Sequence, residues 1–256
     1  QEVTPPGMSV SGSMPELSWE VVDHLALSVV AAGRDAGFPY VAAQSDLGDP
    51  MPMKDGEGRA YAESLPWVDS DPYYWRNRAL ALRSSFLLAA RVFAEPIWFA
   101  DGKLGSWRPT RGLAAIDCSR VTDEFGFTGA IIAPAHLSGG QVGAVVWVTT
   151  EPIDMAATFA AHAAGMFTIA LQFLAAHSEL ATNRQRVTPA MLSPREAQCV
   201  RWAAAGKTNT EIATILSLSV STVRFHLRNA GEKLGATTRA RMVQIATGMG
   251  FLGRHV

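Results

Sequence analysis

SPREAQCVRWAAAG (Ser193–Gly206), KTNTEIATILSLS (Lys207–Ser219) and VSTVRFHLRNAGEKLG (Val220–Gly235) follow one another without a break near the end of the chain. Together they specify three short helices separated by tight turns. In the first, Ser193 supplies a hydroxyl cap and Pro194 takes the first helical position, where its missing N–H costs nothing. Glu196 stands where a carboxylate reaches back to the cap's own amide. Val200, Trp202, Ala203 and Ala204 give this helix an apolar side, and Gly206 ends it. Thr208 or Asn209 caps the second, which carries Ile212, Ala213, Ile215 and Leu216 and gives out near Ser217. Ser219 begins the third. Its Val220, Val223, Leu227 and Leu234 recur at helical spacing and face inward, leaving Ser221, Thr222, Arg224, Phe225, Arg228, Asn229 and Lys233 outside. Thr237 to Met249 is amphipathic through Met242, Ile245 and Ala246 and makes a fourth helix.

Two short helices followed by a basic one are the arrangement that sets a recognition helix in the major groove of DNA. Arg224 and Arg228 lie one helical turn apart, on one face, and can offer paired donors to guanine. Lysine and hydroxyl groups at helix starts suit phosphate oxygens. Charge distribution agrees. Lys and Arg number 22 and Asp and Glu 23 over the 256 residues, but nine of the former and only three of the latter fall from Ser193 onward. A compact basic module is thereby joined to a larger acidic segment, as expected of a polyanion-binding domain with a separate sensory or assembly domain.

Working back toward the N-terminus, the polar run 180–191 is the expected linker, with 192–256 the DNA-binding module beyond it. Residues 15–179 form the larger domain, and 1–14, rich in Pro, Gly and Ser, read as a disordered tail. Within the larger domain, Glu16–Ala36 is an amphipathic helix closed by Gly37, and Phe38–Ala43 a strand. Ser45–Gly58 is a surface loop, and Tyr73–Glu95 a helix with Pro72 in its first turn. Pro96–Trp107 is a hairpin turning at Asp101-Gly102, and Gly129–Leu137 and Val142–Thr150 are a second hairpin. Asp154–Ser178 is a long helix capped by Asp154. Strands flanked by helices at both ends predict an α+β protein: an α/β/α sandwich around an antiparallel sheet, followed by an all-α four-helix module.

Several classes are excluded. The sequence reads as having no run of about 18 uncharged apolar residues and hence no membrane span, which with the absence of a leader points to the cytoplasm. Cys118 and Cys199 are too few and too far apart for a disulfide framework or metal site, and are taken as core residues. His24, His136, His162 and His177 are scattered without a nucleophile or ligand spacing, so neither catalytic residues nor a metal is expected, nor is an enzyme. A phosphorylated receiver domain would need an acidic pair, a strand-end aspartate and a later lysine, a set this sequence does not place.

Leu192-Ser193-Pro194-Arg195-Glu196, the Gly206–Ala213 segment with Lys207-Thr208-Asn209 and Glu211-Ile212, the Ser219–His226 segment and Lys233-Leu234-Gly235 resemble the LuxR-type helix-turn-helix over roughly sixty residues. The resemblance implies base contacts from Arg224, Phe225 and Arg228, and phosphate contacts from Lys207, Thr208, Asn209, Ser219 and Thr222. His226 either joins them or packs beside the turn. The larger domain resembles the autoinducer-binding domain of quorum-sensing LuxR regulators through Glu124–Gly129, Ile131–Pro134 and Asp71-Pro72. In that family the aspartate accepts a hydrogen bond from the amide of an acyl-homoserine lactone, which makes Asp71 the leading pocket residue. The aromatic residues that precede it in the family are met here by Glu57 and Tyr61, with Trp67 displaced. Tyr61, Trp67, Trp75, Phe86 and Trp98 are the other candidate pocket residues, and the same aromatics serve equally as core. The implied protein is a homodimeric regulator of an operator in duplex DNA. It has no bound cofactor and answers to a lactone or analogue, or it is an orphan ("solo") member whose pocket is filled by its own side chains. Dimer contacts are expected from the larger domain and from Met242 and Ile245.

Overall fold

The computed structural model describes residues 16–67, 84–181 and 191–252. Helix α1 (Trp19–Asp35) starts at Ser18, whose hydroxyl accepts from the Val21 amide, and buries Val22, Ala26, Val29 and Gly33 on one stripe. Among the described residues five strands follow: β1 (Tyr40–Gln44), β2 (Ile97–Ala100), β3 (Lys103–Gly105), β4 (Gly129–His136) and β5 (Val142–Thr149). They form one sheet in the order β1-β5-β4-β2-β3, with every neighbouring pair antiparallel. The β2–β3 turn is the predicted one: Asp101 and Gly102 both have positive φ, 49° and 69°, the backbone that matches strand twist in a two-residue hairpin.

Alternation along the strands divides the apolar residues between two faces. Val41, Ala43, Ile131, Ala133, Val145 and Trp147 meet α1, Tyr61 of the one-turn α2 (Tyr61–Ser64) and the long α6 (Met155–Ala181). Ile97, Phe99, Ala130, Ile132, Val146 and Val148 belong to the opposite core. That core takes Phe86, Ala89 and Ala90 from α3 (Ser85–Val92), Leu113 from α4 (Arg111–Ala114) and Val121 from α5 (Val121–Phe125). The expected α/β/α sandwich is what the chain forms. Cys118 and Cys199 are both buried, and burial pushes each thiol's pKa up.

Three expectations are corrected. The single helix predicted over Tyr73–Glu95 does not run through Ser84, which is extended (φ −60°, ψ 121°) and caps α3 by accepting from the Leu87 amide. The helix then stops at Val92, before Phe93. A serine hydroxyl offers the backbone a local partner that favours a helix start over a helix interior. Residues 73–83 lie outside the described residues, as do 1–15 and the linker core 182–190. Second, α6 is long and apolar enough to cross a bilayer by length and composition. Its apolarity has a local use, because Phe159, Ala163, Met166, Ala170, Phe173 and Leu174 pack into the core shared with α1 and the sheet. Third, Met242 is 3% exposed within its own module, so its side chain is spent on the core and not on a partner.

At the C-terminal end of α6, His177 is buried, and its Nε2–H donates to the Lys54 carbonyl at 2.9 Å. Trp19 and Tyr61 pack their rings against it, and Nδ1 has no hydrogen-bond partner among the described residues. Burial lowers the imidazole pKa against the smaller raising effect of the Lys54 carbonyl. The unfolded chain then takes up a proton first as pH falls. The contribution of neutral His177 to stability is complete above its ordinary value of 6.5 and is lost as pH drops through the lowered folded value. His177→Gln should flatten the rise in denaturation midpoint between about pH 5 and 7 relative to the parent protein. An unchanged slope would assign that pH dependence to other groups.

The C-terminal module has its own core. It comprises α7 (Pro194–Ala204), α8 (Asn209–Leu216), α9 (Val220–Lys233) and α10 (Arg239–Gly248), closed around Cys199, Val200, Ala203, Ile212, Val223, Ala230, Leu234, Met242 and Ala246.

Candidate nucleic-acid interface

The helix starts that the sequence marks are all used. Ser193 and Glu196 close a full capping box, and so do Thr208 and Glu211; Ser219 accepts from the Thr222 amide. These caps fix where α7, α8 and α9 begin and therefore which side of α9 turns outward. Val223, Ala230 and Gly231 are buried, with Leu227 and Val220 packed at the margin. Arg224, Phe225 and Arg228 project from the other side, Phe225 being half exposed. An exposed phenylalanine on a short basic helix is explained by its neighbour: the Arg228 guanidinium lies 5.5 Å from the centroid of its ring. Glu232 flanks the same arginine, with 3.8 Å between Nε and Oε1. Arg228 is therefore held along the helix by a ring on one side and a carboxylate on the other, and both partners are exposed enough to be exchanged for a base edge.

The residues expected near phosphates are less uniform. Ser219 Oγ lies 2.8 Å from Ser221 Oγ and 2.7 Å from Thr222 Oγ1, a small exposed hydroxyl cluster at the start of α9. The Thr208 hydroxyl donates to Glu211 at 2.8 Å, and Asn209 Oδ1 accepts from Arg239 at 3.1 Å. Arg239 also donates to the Lys207 carbonyl. Lys207 Nζ is 3.7 Å from Glu211, whose carboxyl is held below its usual range first by the Thr208 amide. Thr208 and Asn209 thus have intramolecular partners, whereas the Lys207 ammonium makes, among the described residues, a single long, exposed ion pair. His226 is half-buried beside Phe225.

Lys233, expected on the outer surface, instead reaches back to Glu196, with Nζ 2.8 Å from Oε2. Glu196 is buried, yet burial is outweighed by Lys233 and the Ser193 amide, and its carboxyl stays below the ordinary range. No local pattern announces this pair, since its partners are 37 residues apart.

In the larger domain, the candidate pocket residues do not converge. Phe86 and Trp67 share the face covered by α3–α5, where Phe86 and Trp67 both pack on Phe127, and Phe86 on Phe99. Tyr61 and Trp98 belong to the opposite face. Tyr61 donates to Asp23 of α1 at 2.5 Å, and the Trp98 ring covers Gly105. A one-residue step along β2 separates Trp98 from Phe99 and sends them to opposite faces. Glu57 is ion-paired with Arg59 in an exposed turn. Asp71 and Trp75 lie outside the described residues.

With this geometry in hand, residues 190–246 match the family model described as bacterial regulatory proteins, luxR family. The C-terminal module is a LuxR-family domain. The LuxR-family match extends to individual relatives. The chain is 46% identical over 67 residues to the transcriptional activator protein VanR of Vibrio anguillarum, spanning 26% of this chain and 28% of VanR. It is 32% identical over 131 residues to the quorum sensing-dependent transcriptional regulator RpaR of Rhodopseudomonas palustris, spanning 50% and 51% of the two chains. To the transcriptional activator protein AhyR of Aeromonas hydrophila it is 27% identical over 187 residues, 73% and 70% of the two chains. The strongest of these identities thus falls on a match that spans little more than a quarter of the relative's length. Among solved structures, Escherichia coli SdiA aligns over 94% of both chains with 18% identity and a TM-score of 0.47.

Proposed function

We propose that this protein is a homodimeric, DNA-binding transcriptional regulator of the LuxR type that acts in the cytoplasm and whose larger domain receives a small-molecule effector. The observation that carries the reading is the outward side of α9. Two arginines and a phenylalanine are exposed there on a helix whose other side is locked into a four-helix core. Two such helices, related by a dimer axis, address half-sites one DNA turn apart, about 34 Å.

The test is binding of the intact protein to a selected operator and to scrambled duplex across a salt series. Arg228→Ala should cost roughly 1–3 kcal/mol on the operator and relax base preference at one position. Lys207→Ala should weaken operator and scrambled DNA alike and lower the salt slope by about one. Equal losses on both duplexes for Arg228→Ala would remove it from base readout.

For the effector, we assign the α3–α5 side of the sheet, with Trp67 and Phe86 as its aromatic wall; the family resemblance implies Asp71 and Trp75 as further ligand-binding residues, and both lie outside the described residues. An acyl-homoserine lactone or an analogue is the ligand class. Tyr61 and Trp98 are left out of this assignment because they sit on the other face of the sheet. A ligand at a hundred times its dissociation constant adds about 2.7 kcal/mol of stability, so a thermal shift that disappears in Asp71→Ala would identify both ligand and pocket. The ring cluster of Phe86, Phe99, Phe125 and Phe127 favours a second reading. In that reading the layer is filled by the protein's own side chains, and regulation proceeds without a ligand. Stable apo protein, indifferent to a lactone panel and bound to its operator, would select it.

A further inference from the structure

The β4–β5 turn and the end of α10 meet through glycines. The turn is a short 3₁₀ segment (Ser138–Gly140) in which Gly139 and Gly140 both have φ +79°, a conformation that side-chain-bearing residues resist. Gly248, the last residue of α10, lies against it. A Cβ built on Gly248 would come within 2.5 to 2.8 Å of three atoms of Gly139, all backbone, which cannot swing aside as a flexible side chain would. On its other side the turn is tied to the helix that leads out of the larger domain, because Ser178 Oγ of α6 donates to Gln141 Oε1 at 2.6 Å. Turn, α6 end and α10 end therefore form one junction across the two domains.

Two further features define what this junction does. Among the described residues, none of the three hydrophobic cores includes residues of both domains, so the seat there is a small backbone-to-backbone fit with no shared apolar core behind it. And with the seat occupied, Arg224, Phe225 and Arg228 stay exposed. We propose that the Ser138–Gly140 turn is a docking seat for the chain's own DNA-binding module, that Gly248 is its specificity-determining residue, and that the docked state leaves the recognition helix free. Because β4 and β5 are central strands that face both cores of the sandwich, a change in the spread of the sheet moves the seat and with it the module.

Gly248 is otherwise an awkward choice. In a helical turn free of contacts, alanine is the better residue. Gly248→Ala therefore separates the two roles, since it favours the helix and blocks the seat. Spin labels placed at Gln172→Cys on α6 and Gln244→Cys on α10, both exposed, report the interdomain distance in the full-length protein diluted into unlabelled protein. We expect one narrow distance distribution for the parent and for Thr247→Ala, and a broad one for Gly248→Ala with undiminished helix content. A narrow distribution in Gly248→Ala, or a broad one in the parent, would overturn the proposal. The measurement needs no DNA and no effector, so it stands or falls apart from the regulatory reading.

Discussion

Trp147→Ala should cost the larger domain about 3–5 kcal/mol, enough to unfold it or leave it marginal under ordinary conditions. The indole is fully buried on the central strand β5, opposite Val41 of β1 and Ile131 of β4. It fills the space between sheet and α1, and its Nε1–H donates to the Val29 carbonyl at 2.9 Å, so removal creates a cavity and deletes a buried hydrogen bond together. The helix is shaped to receive it. A Cβ on Gly33 would stand 2.4 Å from Trp147 Cδ1 and 3.0 Å from the Phe38 carbonyl, so only glycine lets α1 come down onto the ring. Gly33→Ala should therefore destabilise by about 1–3 kcal/mol through overpacking, although alanine is the better helix former. In the Trp147→Ala background the added methyl no longer meets the ring and keeps only the close approach to the Phe38 carbonyl, so the two losses should fall short of additivity by about 0.5–3 kcal/mol. Denaturant unfolding of the four proteins of the cycle measures this, and strict additivity would mean that ring and glycine are not in register.

The Gly33–Trp147 fit also marks how far the sequence could be read. Periodicity places Gly33 in a helix and Trp147 in a strand, and turn chemistry places Asp101-Gly102 in a hairpin, because these signals are local. The capping residues of the C-terminal module are legible for the same reason: Ser193, Thr208 and Ser219 act within three residues of themselves. What needs the third dimension is hidden. Ser84 breaks a run of good helix formers because of one hydroxyl cap. Tyr61 and Trp98 look like partners of Phe86 in a list of aromatics, yet the parity of a strand and a hydrogen bond to Asp23 put them on the far side of the sheet. Met242 reads as an amphipathic contact residue, and nothing local says whether its apolar face meets its own module or a second copy. The exposed side of α9 was readable because its apolar and polar residues separate cleanly at helical spacing.

The pair that no local pattern discloses, Glu196 and Lys233, has the second large effect. Its two ends are unequal. The Glu196 side chain is 6% exposed and the Lys233 side chain 43%, so a lysine deprived of its partner can turn to water while a carboxylate deprived of its partner cannot. Removing one member of a fully buried pair costs about 3–5 kcal/mol; with one end half in solvent, Lys233→Ala should cost about 2–3 kcal/mol near neutral pH. Glu196→Ala frees the lysine but opens the capping box of α7, a loss nearer 1 kcal/mol. The order of the two variants is thus the reverse of what burial of the mutated residue alone suggests. Their pH dependence carries the sign. In the parent, the carboxyl is held below its ordinary value of 4.5, so its stabilisation is complete above that value and is lost as pH falls through the lowered one. Without Lys233, burial acts unopposed by the cation and favours the protonated acid. The gap between parent and Lys233→Ala should then narrow from about pH 7 toward pH 4, while Glu196→Gln stays apart from the parent down to the ordinary value of 4.5 and converges on it only below that. Unfolding of the module followed at both ends of that range decides the matter. A Lys233→Ala deficit that is smaller than that of Glu196→Ala, or indifferent to pH, would show that the ion pair is not what joins α9 to α7.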